Sequence, residues 1–149
     1  MKIISHRGNL NGPNSCRENS PEAIFRASSY GYNVEVDLWI INNCFYFGHD
    51  IPKYKITKDF IEKISNNTFF HIKCCIEAEL STKLNYFIQN EEPQVITSAG
   101  QIWCHSSYPI FNWKSILTLS ETQNIFLDEK LNKCYGICTD YPNKWKINQ

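Results

Sequence analysis

Four short polar groups stand at the ends of apolar stretches that read as strands: His6-Arg7, Glu35-x-Asp37, His49-Asp50 and His71-x-Lys73. Residues i and i+2 of a strand project the same way, so Glu35 and Asp37 share one face while Val34, Val36 and Leu38 take the other. Two carboxylates side by side repel unless a proton or cation lies between them. A divalent metal suits that place, because hard cations take oxygen ligands and Mg²⁺ in particular is held by one or two carboxylates together with a substrate phosphate. The plain alternative for this spacing is a solvated outer face. His71 and Lys73 repeat the relation, with Phe70 and Ile72 opposite, and an imidazole and an amine are expensive to bury on an apolar strand. A metal, two imidazoles (His6 and His49) and two cations (Arg7 and Lys73) are the chemistry of phosphoryl transfer. Trp39 continues the Glu35–Asp37 face, either as an apolar wall for a substrate or as a rim contact.

The order His6-Arg7-Gly8, Glu18-Asn19-Ser20-Pro21-Glu22-Ala23, Gly31, Glu35-Val36-Asp37 and Gly48-His49-Asp50 resembles the glycerophosphodiester phosphodiesterase family across residues 3 to 50. The segment Gly136-Ile137-Cys138-Thr139-Asp140-Tyr141-Pro142 resembles that family's last strand. The resemblance implies an α/β fold, a compact and reduced TIM-type (β/α) barrel of the phospholipase-C-like phosphodiesterase kind, with its chemistry at the strand C-termini. It implies His6 and His49 as the acid/base pair and Glu35 and Asp37 as metal ligands. It further implies Arg7, Glu18, Asn19 and Lys73 as substrate contacts. His71 stands where the larger enzymes carry Glu; as a third ligand it shifts the expected metal from Mg²⁺ or Ca²⁺ toward Mn²⁺ or Zn²⁺. The chain of 149 residues is short for eight βα units, so some helices must be missing.

The elements that must position these residues are legible in part. Lys2 to Ser5 reads as a strand entering a Gly/Asn/Pro loop at 8–14, and Ser20-Pro21-Glu22 caps a helix that Gly31 stops. Asn33 to Ile41 and Cys44 to Gly48 form a hairpin about Asn42-Asn43. Thr57 caps a second helix that ends at Asn66-Asn67, and Phe69 to Lys73 is a strand. Leu80, Leu84 and Phe87 predict an amphipathic helix over Glu77 to Phe87. A second hairpin, Gln94 to Thr97 with Gln101 to His105, precedes strands at Ser115 to Leu119 and Tyr135 to Thr139.

Composition sets the outer bounds. At 149 residues with 42% hydrophobic content, the chain reads as one domain over 1–149 with a real core. Fifteen basic residues against fifteen acidic ones leave no field to attract nucleic acid or an anionic membrane, and no apolar run is long enough to span a bilayer. The expected partner is a small phosphodiester. Neither the opening residues nor the seven cysteines suggest secretion, since no signal-peptide core can be drawn and the cysteine count is odd; the expected location is cytoplasmic. Two other functions compete with hydrolysis: a catalytically silent phosphodiester-binding module and a phospholipase D-like lyase.

Overall fold

The computed structural model describes residues 1–75, 83–119 and 129–146. Its elements are β1 (Lys2–His6), α1 (Pro21–Ser29), β2 (Asn33–Ile41), β3 (Cys44–Phe47), β4 (Tyr54–Ile56), α2 (Lys58–Ile64), β5 (Thr68–Cys75), β6 (Asn85–Phe87), β7 (Gln94–Ile96), β8 (Ile102–Cys104), β9 (Ser115–Leu119), β10 (Gly136–Thr139) and α3 (Pro142–Lys146). Both expected caps are present: the Ser20 hydroxyl accepts from the Ala23 N–H (3.1 Å) and the Thr57 hydroxyl from the Phe60 N–H (3.2 Å). The helix expected over Glu77 to Phe87 is not formed at its C-terminal end. Residues 76–82 lie outside the described residues, and Asn85–Phe87 is β6, paired in parallel with Phe69, Phe70 and His71. Ladder pairing with β5 there overrides the helical spacing of the apolar residues.

The strands form one mixed sheet in the order β4-β3-β2-β1-β10-β9-β8-β7, with β5 on the other edge of β2 and β6 beyond it. Strands β6, β5, β2, β1, β10, β9 and β8 run parallel, and the β2–β3–β4 and β7–β8 pairs are antiparallel. The (β/α) barrel implied by the resemblance is therefore not the fold. The sheet is a curled half-barrel with three short α-helices, and among the described residues no ladder joins β6 to β8. Chain length supplies the reason: antiparallel hairpins and short turns take the place of most of the crossover helices that a (β/α)₈ barrel needs.

The curl is visible in the packing. Ile4, Phe69, Phe87, Trp103, Ile116 and Cys138, one from each of six parallel strands, meet in a single apolar cluster on the inner face, with Phe87 stacked on Trp103 at 4.3 Å. A flat sheet could not bring β5 and β6 onto β8 and β9. Ser98 bridges the two ends, its N–H donating to the Tyr86 carbonyl (2.7 Å) and its hydroxyl to the Leu84 carbonyl (2.9 Å). On the outer face Val34, Val36, Leu38 and Ile40 pack with Ile24 and Ala27 of α1 and Ile61 and Ile64 of α2. The alternation read from β2 thus separates a helix-covered apolar face from an inner face bearing Glu35 and Asp37.

Candidate functional site

One step along the strands from the inner apolar cluster, the side chains change from apolar to ionisable. His6 follows Ile4, His71 follows Phe69 and Asp140 follows Cys138, each two residues on. The ladders set two cross-strand pairs side by side, His6 opposite Glu35 and Asp37 opposite His71. His6 Nδ1 donates to Asp140 Oδ1 (2.9 Å), and its Nε2 lies 3.8 Å from Glu35 Oε2. His71 Nδ1 donates to Asp37 Oδ1 (3.0 Å) and its Nε2 to the Gln89 carbonyl (2.9 Å). Ligand atoms of Glu35, Asp37 and His71 all fall within 4.8 Å of one another.

The loop after β1 completes the arrangement. Arg7 and Asn19 have left-handed backbones (φ 52° and 60°), a conformation that non-glycine residues adopt at a cost and that clusters at functional sites. The Arg7 N–H is shared between the Glu35 carbonyl (3.0 Å) and Glu35 Oε2 (3.3 Å). The Arg7 guanidinium donates to Glu18 Oε2 (3.2 Å) and sets Nε 3.2 Å from Asp37 Oδ2, an ionic contact whose angle is not that of a hydrogen bond. Asn19 clamps Asp37 twice, donating from Nδ2 to Oδ2 (2.8 Å) and accepting the Asp37 N–H at Oδ1 (3.0 Å). Asn19 is therefore a positioning residue here.

Glu35 and Asp37 are 2% and 0% exposed, so they are core groups rather than carboxylates at a solvated mouth. Their environments drive them apart. Burial disfavours ionised Asp37, but the His71 hydrogen bond, the Arg7 charge and the Asn19 hydrogen bond outweigh it and lower its pKa to about 2. Burial and the neighbouring Asp37 charge raise the Glu35 pKa. Burial works against charge on His6 and His71 also, yet the Asp140 and Asp37 hydrogen bonds, with the Glu35 charge, hold both above their ordinary value. Facing a carboxylate and a carbonyl, both nitrogens of His71 carry protons, so it pairs with Asp37 as a cation. It can ligate a metal only by giving up one of those two contacts.

The other expected residues fall around this centre. His49 lines a cavity of about 380 Å³ with Arg7, Glu18 and Asn19, and a second of about 560 Å³ with His71 and Lys73, so it stands between the two. Its Nδ1 is bound by Asp50 Oδ1 at 2.6 Å. Lys73 sits at a bulge, where the register jumps so that Cys74 rather than Lys73 pairs with Trp39; the strict i, i+2 alternation with His71 ends there. Trp39 lines none of these cavities: its Nε1 donates to the Gly48 carbonyl (2.5 Å), which fixes the turn carrying His49. Asp140, Asn9 and Gln89 were not in the expected site. Only Asp140 carried a signal, as the acid closing the last strand.

These directions of charge give a pH profile for the metal-free protein. The lowered Asp37 contributes stability above its unfolded value of 3.8, lost as pH falls through about 2. The raised His6 and His71 contribute below 6.5, and that is lost as pH rises through their folded values. Raised Glu35 weighs against folding above 4.5. Thermal scans without divalent ions should therefore peak at about pH 4–6 and decline by pH 8, and a divalent cation should raise Tm more at pH 8 than at pH 5. A Tm that climbs from pH 6 to 8.5 without metal would contradict this assignment.

Comparison with protein-family models, curated proteins and solved structures gave no match to this chain. No helix among the described residues is long and apolar enough to cross a membrane.

Proposed function

We propose that the protein is a metal-dependent phosphodiesterase that hydrolyses a small, glycerophosphodiester-like substrate. The observation that carries this reading is the buried Glu35–Asp37–His71 group, with His6 beside Glu35, next to two cavities that share His49, one lined by Arg7 and the other by His71. Two carboxylates and an imidazole fit a divalent cation of the Mg²⁺, Mn²⁺ or Zn²⁺ kind, and the raised Glu35 pKa is the mark of a carboxylate that lacks a full counter-charge. Glu35, Asp37 and, after losing a proton, His71 would hold it. When bound, such a cation would polarise a phosphoryl oxygen and acidify the attacking water.

The chain's own groups divide the proton transfers. His6, held by Asp140 and favoured as the cation, is suited to donate a proton to the leaving alkoxide. His49, with Nδ1 donating to Asp50, presents Nε2 as the base for the attacking group. Arg7 is already engaged by Glu18 and Asp37, so the remaining edge of its guanidinium is what faces a phosphoryl oxygen, with Lys73 adding charge from the larger cavity.

A second reading, a binding module without turnover, is favoured by the engagement of both His71 nitrogens. One assay separates the two. Purified protein with a panel of phosphodiesters and Mg²⁺, Mn²⁺, Ca²⁺ or Zn²⁺ should release a phosphomonoester, and His49→Ala should lower the rate by about 10²–10⁴-fold. Saturable substrate binding without product under every metal would establish the module instead.

A further inference from the structure

The chain has twelve lysines but only three arginines, and all three fall between residues 7 and 26. Arg7 belongs to the site above. Arg17 and Arg26 have no carboxylate within 4.0 Å among the described residues. Together they line a separate cavity of about 230 Å³ behind the loop after β1, with Gly8, Asn9, Asn11 and Asn14. No acidic side chain contributes to its walls. The Arg26 Nε is fully buried and has no hydrogen-bond partner. That N–H is closed to solvent and so to a ligand, but the Arg26 guanidinium lining the cavity has no carboxylate partner among the described residues, and the acceptor that best matches its planar fork is a tetrahedral or planar oxyanion. Two solvated surface arginines would be the plain alternative for Arg17 alone, which is exposed, but not for the buried Nε of Arg26.

We propose that this cavity is a second oxyanion site that takes a phosphate group, free or at the end of a phosphomonoester. Its volume of about 230 Å³ suits one phosphate with a small substituent. Asn9 of its wall links the cavity to the site through hydrogen bonds. The Asn9 Nδ2 donates to Glu18 Oε1 (3.0 Å) and Asp140 Oδ1 (2.7 Å), the carboxylates that hold Arg7 and His6. A phosphate in the cavity therefore lies against the loop that sets both residues.

The test needs neither metal nor turnover. The full chain, ¹⁵N-labelled and free of divalent ions, is titrated with inorganic phosphate and, at matched ionic strength, with chloride. Saturable shifts are expected at the Gly8, Gly12 and Arg26 amides with phosphate only. Arg17→Gln and Arg26→Gln should each weaken that binding by about tenfold or more, while signals of Gly48 and His49 in the cleft titrate as in the parent. Glycerol phosphate in a parallel titration distinguishes the source: tighter binding than inorganic phosphate assigns the site to a phosphomonoester, and equal binding assigns it to free phosphate. Arg17 is on an exposed loop, so its variant keeps the test valid if Arg26→Gln fails to fold. Shifts reproduced by chloride, loop amides that do not move, or an Arg17→Gln titration identical to the parent would overturn the proposal.

Discussion

Glu35→Gln and Asp37→Asn, conservative changes at two inward positions of one strand, should abolish activity alike and move stability in opposite directions. Burial and the Asp37 charge both disfavour the ionised form of Glu35, so its neutral amide should leave Tm unchanged or raise it by a few degrees. Asp37 holds His71, Arg7 and both ends of the Asn19 amide. Its replacement leaves the half-buried His71 without its counter-charge and Arg7 with Glu18 alone, a loss of about 3 kcal/mol and, for a chain of this size, roughly 10 °C in Tm. Both variants should lose at least about 10³-fold in kcat/KM, because in each the metal would lack one of its two carboxylate donors. Differential scanning calorimetry and the phosphodiester assay check the pair. Equal destabilisation by both changes would mean that Glu35 is not the strained carboxylate described here.

The second large effect is expected at His6. His6→Ala should lower kcat by about 10²–10⁴-fold on a substrate with an alkoxide leaving group, and by much less on a p-nitrophenyl phosphodiester, whose leaving group needs no proton. Asp140→Asn should shift the basic limb of the pH–rate profile to lower pH, because the hydrogen bond and charge that raise the His6 pKa are removed. Equal losses on both substrates would remove His6 from the role of acid.

How much of this was legible depended on the range of the interaction concerned. Strand periodicity is local, so Glu35 and Asp37 could be placed on the face opposite Val34, Val36 and Leu38, and the structure has them there. The caps at Ser20 and Thr57 are local as well, and both form. Long-range pairing was not legible. Asn85–Phe87 joined β5 against its helical spacing, and the barrel implied by resemblance became an open half-barrel. Lys73 falls at a bulge that no residue type announces, yet lines the same cavity as His71. Burial of the carboxylates was also hidden, since alternation gives the face of a strand and not whether a loop closes over it. Arg7 and Asn19 make that closure from left-handed backbones that their residue types do not require. The double contact of His71 depends on Gln89, which arrives from a distant loop.

The central claim, that Glu35, Asp37 and His71 form one divalent-metal site, is tested most directly by the anomalous scattering of Mn²⁺ in crystals of the protein grown or soaked near pH 8. A single strong peak is expected within bonding distance, about 2.0–2.2 Å, of one oxygen each of Glu35 and Asp37, with His71 turned to ligate through one nitrogen and released from either Asp37 or Gln89. A peak bound elsewhere, or a fully ordered site in which His71 keeps both of its present contacts and no manganese is found at saturating concentration, would contradict it.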